Sequence, residues 1–312
     1  MKTIISYPLL NTKTPLYLHI MKQEEWISVH LFYDDSLNFF LKKAVQPFLK
    51  LNKAYILSSF FIRYMENGQH VRLRVLIDRK HTPILIEKIN LHFNNFFTNF
   101  PSKHQIKNTT NFPNNAIQHI AYEPEIQRYG GTEGILISEQ LFHYSSKTIL
   151  NLIEAETEYE QALLIGIIMN LYLAKSDPKH NISNLFQSIF NYWLDYNCHY
   201  LNLSKTEIIQ RYESIYDEQS EMFTEIIEGI LSEKGAGEAE IEGLENWKKY
   251  CTEILKKLRN TGLTKLIPEI IGSYIHMNNN RLGISNFDES LMAYLILREI
   301  TLNPSTEETG FY

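Results

Sequence analysis

From Trp26 to Tyr33 the segment WISVHLFY alternates in polarity and is rich in β-branched and aromatic side chains, the pattern of a strand. Asp34 or Asp35 then supplies an N-cap for a helix over 36–51. Leu37, Phe40, Leu41, Ala44, Phe48 and Leu51 fall at helical spacing there, and Pro47 should bend or shorten it. Two strand-like runs follow, Ile56 to Tyr64 and His70 to Ile77, separated by Glu66-Asn67-Gly68. Asn-Gly is a strong hairpin signal because both residues tolerate a positive φ. Thr82 as cap and Pro83 at the first helical position open a helix reaching Phe97, since proline's missing N–H is not needed there. Beyond an Asn-rich loop, Ala116 to Tyr122 reads as a fourth strand.

The order β-α-β-β-α-β over residues 26–122 predicts a ferredoxin-like unit. Past Gly131 long helical patterns take over: Ile137 to Ser145, Tyr159 to Ala174, Ile182 to Tyr196, Lys205 to Ser232 and Glu240 to Asn260. Two more, Ile267 to Met277 and Glu289 to Ile300, are joined by a loop carrying Asn278, Asn279, Asn280 and Arg281. The expected fold class is therefore α+β in one compact unit. A leading segment (1–25) precedes a ferredoxin-like part (26–131) and a mainly helical part (132–302), and 303–312 forms a loose tail. Glu233 to Glu238, polar and glycine-containing, is the best candidate for a connector.

With 312 residues, 44% hydrophobic and 21% charged, the chain has the make-up of a globular protein rather than a disordered one. A net charge of -6 repels a phosphate backbone, so no direct nucleic-acid partner is expected. Cys198 and Cys251 are the two cysteines and form no CxxC, which fits a cytoplasmic location. The apolar run Leu163 to Leu173 is too short to span a bilayer, and MKTIISYPLL lacks the h-region of a signal peptide. With no P-loop, no GxGxxG and no cluster of metal-ligand type, neither cofactor nor metal is expected.

Three segments carry candidate chemistry. In the run HVRLR, His70, Arg72 and Arg74 project from one strand face, giving either a solvated cationic surface or a seat for an anionic ligand. Arginine suits a carboxylate, whose two oxygens match its planar fork. In YEPEIQRYGG, Glu125 and Arg128 lie three residues apart, followed by Tyr129 and two glycines that permit a tight turn; a plain surface ion pair is the bland alternative. In HMNNNRLG, His276 ends an apolar helical stretch and Arg281 follows, where the bland alternative is a helix-terminal histidine.

Taken in order and spacing, WISVHLFY, FFIRY, HVRLR, YEPEIQRYGG with its trailing SEQLFHYSS, and HMNNNRLG resemble the C-terminal elimination domain of lantibiotic dehydratases, which also occurs as a separate thiopeptide-type bacteriocin biosynthesis protein. The resemblance covers nearly the whole chain. It implies elimination of glutamate from glutamylated serine or threonine of a ribosomally made precursor peptide. A separate enzyme that uses glutamyl-tRNA would attach the glutamate, because only about 25 residues precede the first motif.

By this resemblance Arg72, Arg74, Arg128, Glu125 and His276 are the catalytic set, with His70, Tyr129 and Arg281 as substrate-binding neighbours. Arginines remain cationic at any relevant pH and would hold both the glutamyl group and the departing carboxylate. His276 has the intrinsic acidity of a base or proton relay. Glu125 would bind the glutamyl amino group, orient Arg128 or move a proton. The related pyridine synthases, which join two dehydroalanines by a formal 4+2 cycloaddition, and a non-catalytic peptide-binding scaffold are the competing readings. Homodimerisation is left open.

Overall fold

A computed structural model describes residues 23–103, 112–154, 156–231 and 244–302. The expected connector at Glu233 to Glu238, the tail, and the leading segment as far as residue 22 lie outside the described residues.

β1 (Glu24–Phe32) runs antiparallel to β3 (His70–Asp78) and, on its other side, to β4 (Ala116–His119); β2 (Ile56–Tyr64) pairs antiparallel with β3, so the sheet order is β2-β3-β1-β4. Period-two alternation divides the side chains between two faces. Val71, Leu73 and Val75 of β3, opposite Leu31, Val29 and Ile27 of β1, are buried in one core with Phe40, Phe48 and Phe93 of the following helices. His70, Arg72 and Arg74 share the opposite face with Phe32, His30 and Ser28 of β1 and with Tyr64, Ile62 and Phe60 of β2.

The first crossover is interrupted near the expected place. α1 (Leu37–Phe40) passes through a π turn, Leu41–Val45, before α2 (Gln46–Leu51) begins with Pro47 in its first turn. Proline cannot donate to the preceding turn and its ring crowds the carbonyl four residues back, so the backbone widens there instead of breaking. In α3 (Thr82–Asn99) the cap is His81 rather than Thr82, whose hydroxyl donates to Glu25 Oε1. The fourth strand stops at His119, short of Tyr122. Edge-on packing of the Tyr122 ring against Trp26 and Phe60, at 5.6 and 5.7 Å, holds this stretch over the arginine-bearing face instead of in the ladder.

The helical half comprises α4 (Thr132–Leu152), α5 (Tyr159–Lys175), α6 (Ile182–Leu201), α7 (Lys205–Leu231), α8 (Glu245–Asn260), α9 (Ile267–Leu282) and α10 (Asn286–Leu302). α4 is longer at both ends than its apolar pattern suggested. The expected loop at Asn278 to Arg281 does not exist, because α9 runs on through it to Gly283, which ends the helix at φ +84°. The asparagines stay helical because each side chain finds a tertiary partner. Ser145 donates to Asn278, Asn170 donates to Asn279, and Asn280 binds the backbone of Arg63.

That last pair joins the two halves. β2 is an edge strand, and its outward N–H and C=O groups would be orphaned under a covering helix. Asn280 accepts from Arg63 N and donates to Arg63 O, both at 2.9 Å, as a strand's peptide group would. Ser146 accepts from Phe61 N and Arg281 Nε donates to Phe61 O at 3.0 Å. The ring Nδ1 of His143 meets Ser59 at the same edge. Side chains of α4 and α9 thus take the place of a fifth strand.

Candidate anion-binding cleft

Between the arginine face of the sheet, α4, α9 and the 120–131 segment lies a cavity of about 330 Å³. Arg72, Arg74, Glu125, Arg128, Tyr129, His276 and Arg281 all line it, so residues spread over three sequence segments meet at one place.

Arg72 is fixed from both sides. Its guanidinium lies over the Tyr64 ring, 3.3 Å from the centroid, and its Nε donates to His70 Nε2 at 3.2 Å. His70 itself is 1% exposed and donates Nδ1–H to Gly68 O at 2.7 Å, so one neutral tautomer satisfies both contacts. Burial holds its pKa below the usual histidine value, against the opposing Gly68 bond. His70 therefore acts from beneath Arg72 and does not line this cleft. It borders a neighbouring recess of about 380 Å³ behind Arg72 and Arg74, which it shares with His30.

Arg74 lies 4.7 Å from the Tyr122 ring centroid and 5.3 Å from that of Phe60, and burial brings its pKa down to about 10. Its Nε finds no hydrogen-bond partner among the described residues. Arg281 is 1% exposed, on a helix rather than a loop. It donates to Phe61 O, Ser146 Oγ and Met277 O, at 3.0, 3.1 and 3.0 Å, while its Nη2 is buried and unpartnered. Burial lowers its pKa to about 9, which leaves it cationic near neutrality.

Arg128 is positioned by the turn after Tyr122. Gly131 N donates to Ile126 O, with Gly130 and Gly131 at φ +80° and +94°, values that an L side chain rarely adopts. Gly134 stands in the first turn of α4, where a Cβ would collide with the Tyr129 carbonyl oxygen. Arg128 Nε donates to Ser273 Oγ at 3.1 Å and Nη1 meets both Glu125 oxygens at 3.4 Å, an exposed and loose pair. The Tyr129 ring is packed against Phe142 and stacked on Tyr274, and burial pushes its hydroxyl up to about 12.

His276 lies in the interior of α9, not at its end. Its Nδ1 is 2.6 Å from Oε1 of Glu289, a carboxylate 1% exposed, and its ring tilts against Trp193 at 5.1 Å.

The sequence reading missed Glu289, Ser273, Tyr64, Asn280 and also Glu139. The Glu139 carboxyl, hydrogen-bonded by Tyr122 and Trp26, is raised by burial. Nothing local marked Glu289: it stands in the first turn of α10, where a carboxylate is ordinary, and only its burial beside His276 sets it apart.

Guanidinium groups crowded into one cleft, with a carboxylate-held histidine in its wall, make it a candidate site for anionic groups. The chain belongs to the lantibiotic biosynthesis dehydratase C-terminal family, whose pattern matches residues 26–300. The epidermin biosynthesis protein EpiB of Staphylococcus epidermidis is 23% identical over 306 residues, 91% of this chain; the chain spans only 26% of that relative's length. Among solved structures, the pyridine synthase TbtD from thiomuracin biosynthesis superposes with a TM-score of 0.72 at 14% identity, covering 88% of this chain and 97% of that one. The tRNA-dependent lantibiotic dehydratase MibB from Microbispora sp. 107891 gives 0.68 at 18% identity, covering 91% of this chain and 28% of that one. At these identities the likeness is one of fold.

Proposed function

We propose that the cleft eliminates glutamate from glutamylated serine or threonine residues of a precursor peptide, leaving dehydroalanine or dehydrobutyrine. The observation that carries this reading is the convergence of Arg72, Arg74 and Arg128 with His276 on the lining of one cavity. A carboxylate bound there would pair with their forked donors.

In the reaction His276 Nε2 takes the proton from the α-carbon of the esterified residue. The C–H electrons become the Cα=Cβ bond, the Cβ–O bond breaks, and glutamate leaves with that electron pair on its carboxylate. Arg72, Arg74 and Arg128 stabilise the leaving carboxylate and the glutamyl group, with Arg281 behind them. Tyr129 shapes the wall, and Glu125 orients Arg128 or receives the glutamyl amino group. Within this reading a separate glutamylating enzyme supplies the ester. Incubation with a glutamylated peptide should release free glutamate and leave a dehydrated product by mass spectrometry; an intact ester after prolonged incubation would refute the proposal.

A second reading is pyridine formation from two dehydroalanines, favoured by the fold shared along 97% of the TbtD chain. A peptide bearing two dehydroalanines distinguishes the two, since only a pyridine synthase would cyclise it.

A further inference from the structure

Beside the anion cleft lies a larger cavity of about 790 Å³, and Arg128 and His276 line both. This volume is within the range of roughly 300–1,000 Å³ typical of ligand sites. The cavity lies between α6 and the first half of α9, and its wall is more apolar than polar: Leu185, Ile189, Tyr192 and Trp193 from α6 and Ile271 from α9, interleaved with His180, Asn184, Ser188 and Ser273. Of its carboxylates, Asp177 is 1% exposed and already committed, to His180 Nδ1 at 2.6 Å and to Arg259. Glu269 is exposed.

Gly272 adds an independent observation. It sits inside α9, where glycine weakens a helix, and a Cβ built on it would meet nothing within 4 Å. No packing neighbour therefore requires a glycine. Gly272 lines the cavity one turn before His276, and the missing side chain leaves the helix surface bare where the cavity crosses it.

We infer that this groove holds the stretch of substrate polypeptide flanking the reacting residue, an extended segment with uncharged, largely apolar side chains that runs across Gly272. The inference rests on the elimination reading. For His276 to reach the α-carbon, the substrate backbone must pass along the His276 wall, which is the wall the groove shares. The glutamyl group points the other way, to the arginines. His180, anchored through Nδ1, is a polar contact for the passing peptide groups.

The test compares two substrates on the full chain. One is the glutamyl ester of N-acetylserine methylamide, too short to reach the groove; the other is a glutamylated peptide with apolar residues on both sides of the ester. Gly272→Phe fills the groove from a helical position with free space around it, and Ser188→Trp fills it from exposed Ser188 on α6. For each variant, the ratio of peptide to short-ester kcat/KM should fall about tenfold or more, through KM rather than kcat. An unchanged ratio in both folded variants overturns the groove assignment.

Should wild type release glutamate from neither substrate, the elimination reading fails instead. Binding of an amide-linked, non-eliminable peptide by fluorescence anisotropy then decides the groove separately. Weaker binding to Gly272→Phe than to wild type sustains the groove, and equal binding removes it.

Discussion

His276 and Glu289, thirteen residues apart on successive helices, share a hydrogen bond of 2.6 Å, and the second Glu289 oxygen accepts from Asn279 Nδ2 at 3.2 Å. The carboxylate fixes the proton on Nδ1 and leaves Nε2 as the basic nitrogen.

Under the proposed elimination, replacing His276 with alanine should abolish turnover, with glutamylated peptide accumulating by mass spectrometry. Glu289→Gln retains the shape but no longer fixes that tautomer. Its kcat should fall by about 10²-fold or more at near-constant KM, by analogy with carboxylates that orient a catalytic histidine. Full activity in Glu289→Gln would exclude this role.

Arg281 serves the fold as well as the cleft. Arg281→Met keeps the bulk but removes the donors to Phe61 O and Ser146 Oγ, orphaning an edge-strand carbonyl. A loss of about 2–4 kcal/mol is expected from the broken buried bonds, read as a lower urea midpoint. The activity loss should exceed what the unfolded fraction explains.

Asn280→Leu tests the false strand. It removes both bonds to the Arg63 peptide groups and buries that N–H and C=O unpaired. Destabilisation of about 2–4 kcal/mol should follow, while Asn280→Ser, small enough to admit water, should lose less. Equal midpoints for wild type and Asn280→Leu would show the edge to be satisfied otherwise.

Acid should weaken the fold through the stacked pair His30 and His70, whose ring centroids are 5.0 Å apart. Burial first, then the charge of Arg72 and of His70, lowers His30 from its ordinary 6.5 to about 3, and burial also lowers His70. The unfolded chain therefore binds more protons than the native one between about 6.5 and 3. Stability from His30 is complete above that window and is lost as pH falls through it, by at most about 1.4 kcal/mol per pH unit. Urea midpoints from pH 7.5 to 4 should decline, and His30→Gln should flatten the slope. An unaltered slope in that variant would rule His30 out.

Gly134→Ala places a methyl group against the Tyr129 carbonyl, which belongs to the turn carrying Arg128. The helix start or the turn must move, so activity should drop with the anion cleft, even at temperatures where circular dichroism still shows folded protein.

How much was legible beforehand follows from the range of the forces involved. Alternation in HVRLR placed Arg72 and Arg74 on one face, and the ladder with β1 and β2 bears that out. The Asn67-Gly68 turn followed from φ preference alone, and both residues have positive φ. These are local rules, carried by a few consecutive residues. The Asn278 to Arg281 stretch read as a loop for the same reason, since exposed asparagines favour turns over helices. Only burial against Ser145, Asn170 and Arg63 reversed that preference, and those partners lie over a hundred residues away.

The sequence by itself determined the alternating sheet, the amphipathic helices and the inventory of arginines and histidines, because backbone propensity and side-chain period act within a few residues. Tertiary structure alone decided that Arg281 lies buried in a helix at the back of the cleft, that His70 holds Arg72 instead of lining that cleft, and that Glu289 directs His276. Each depends on desolvation and on hydrogen-bond geometry between distant segments, which exist only once the chain has closed around them.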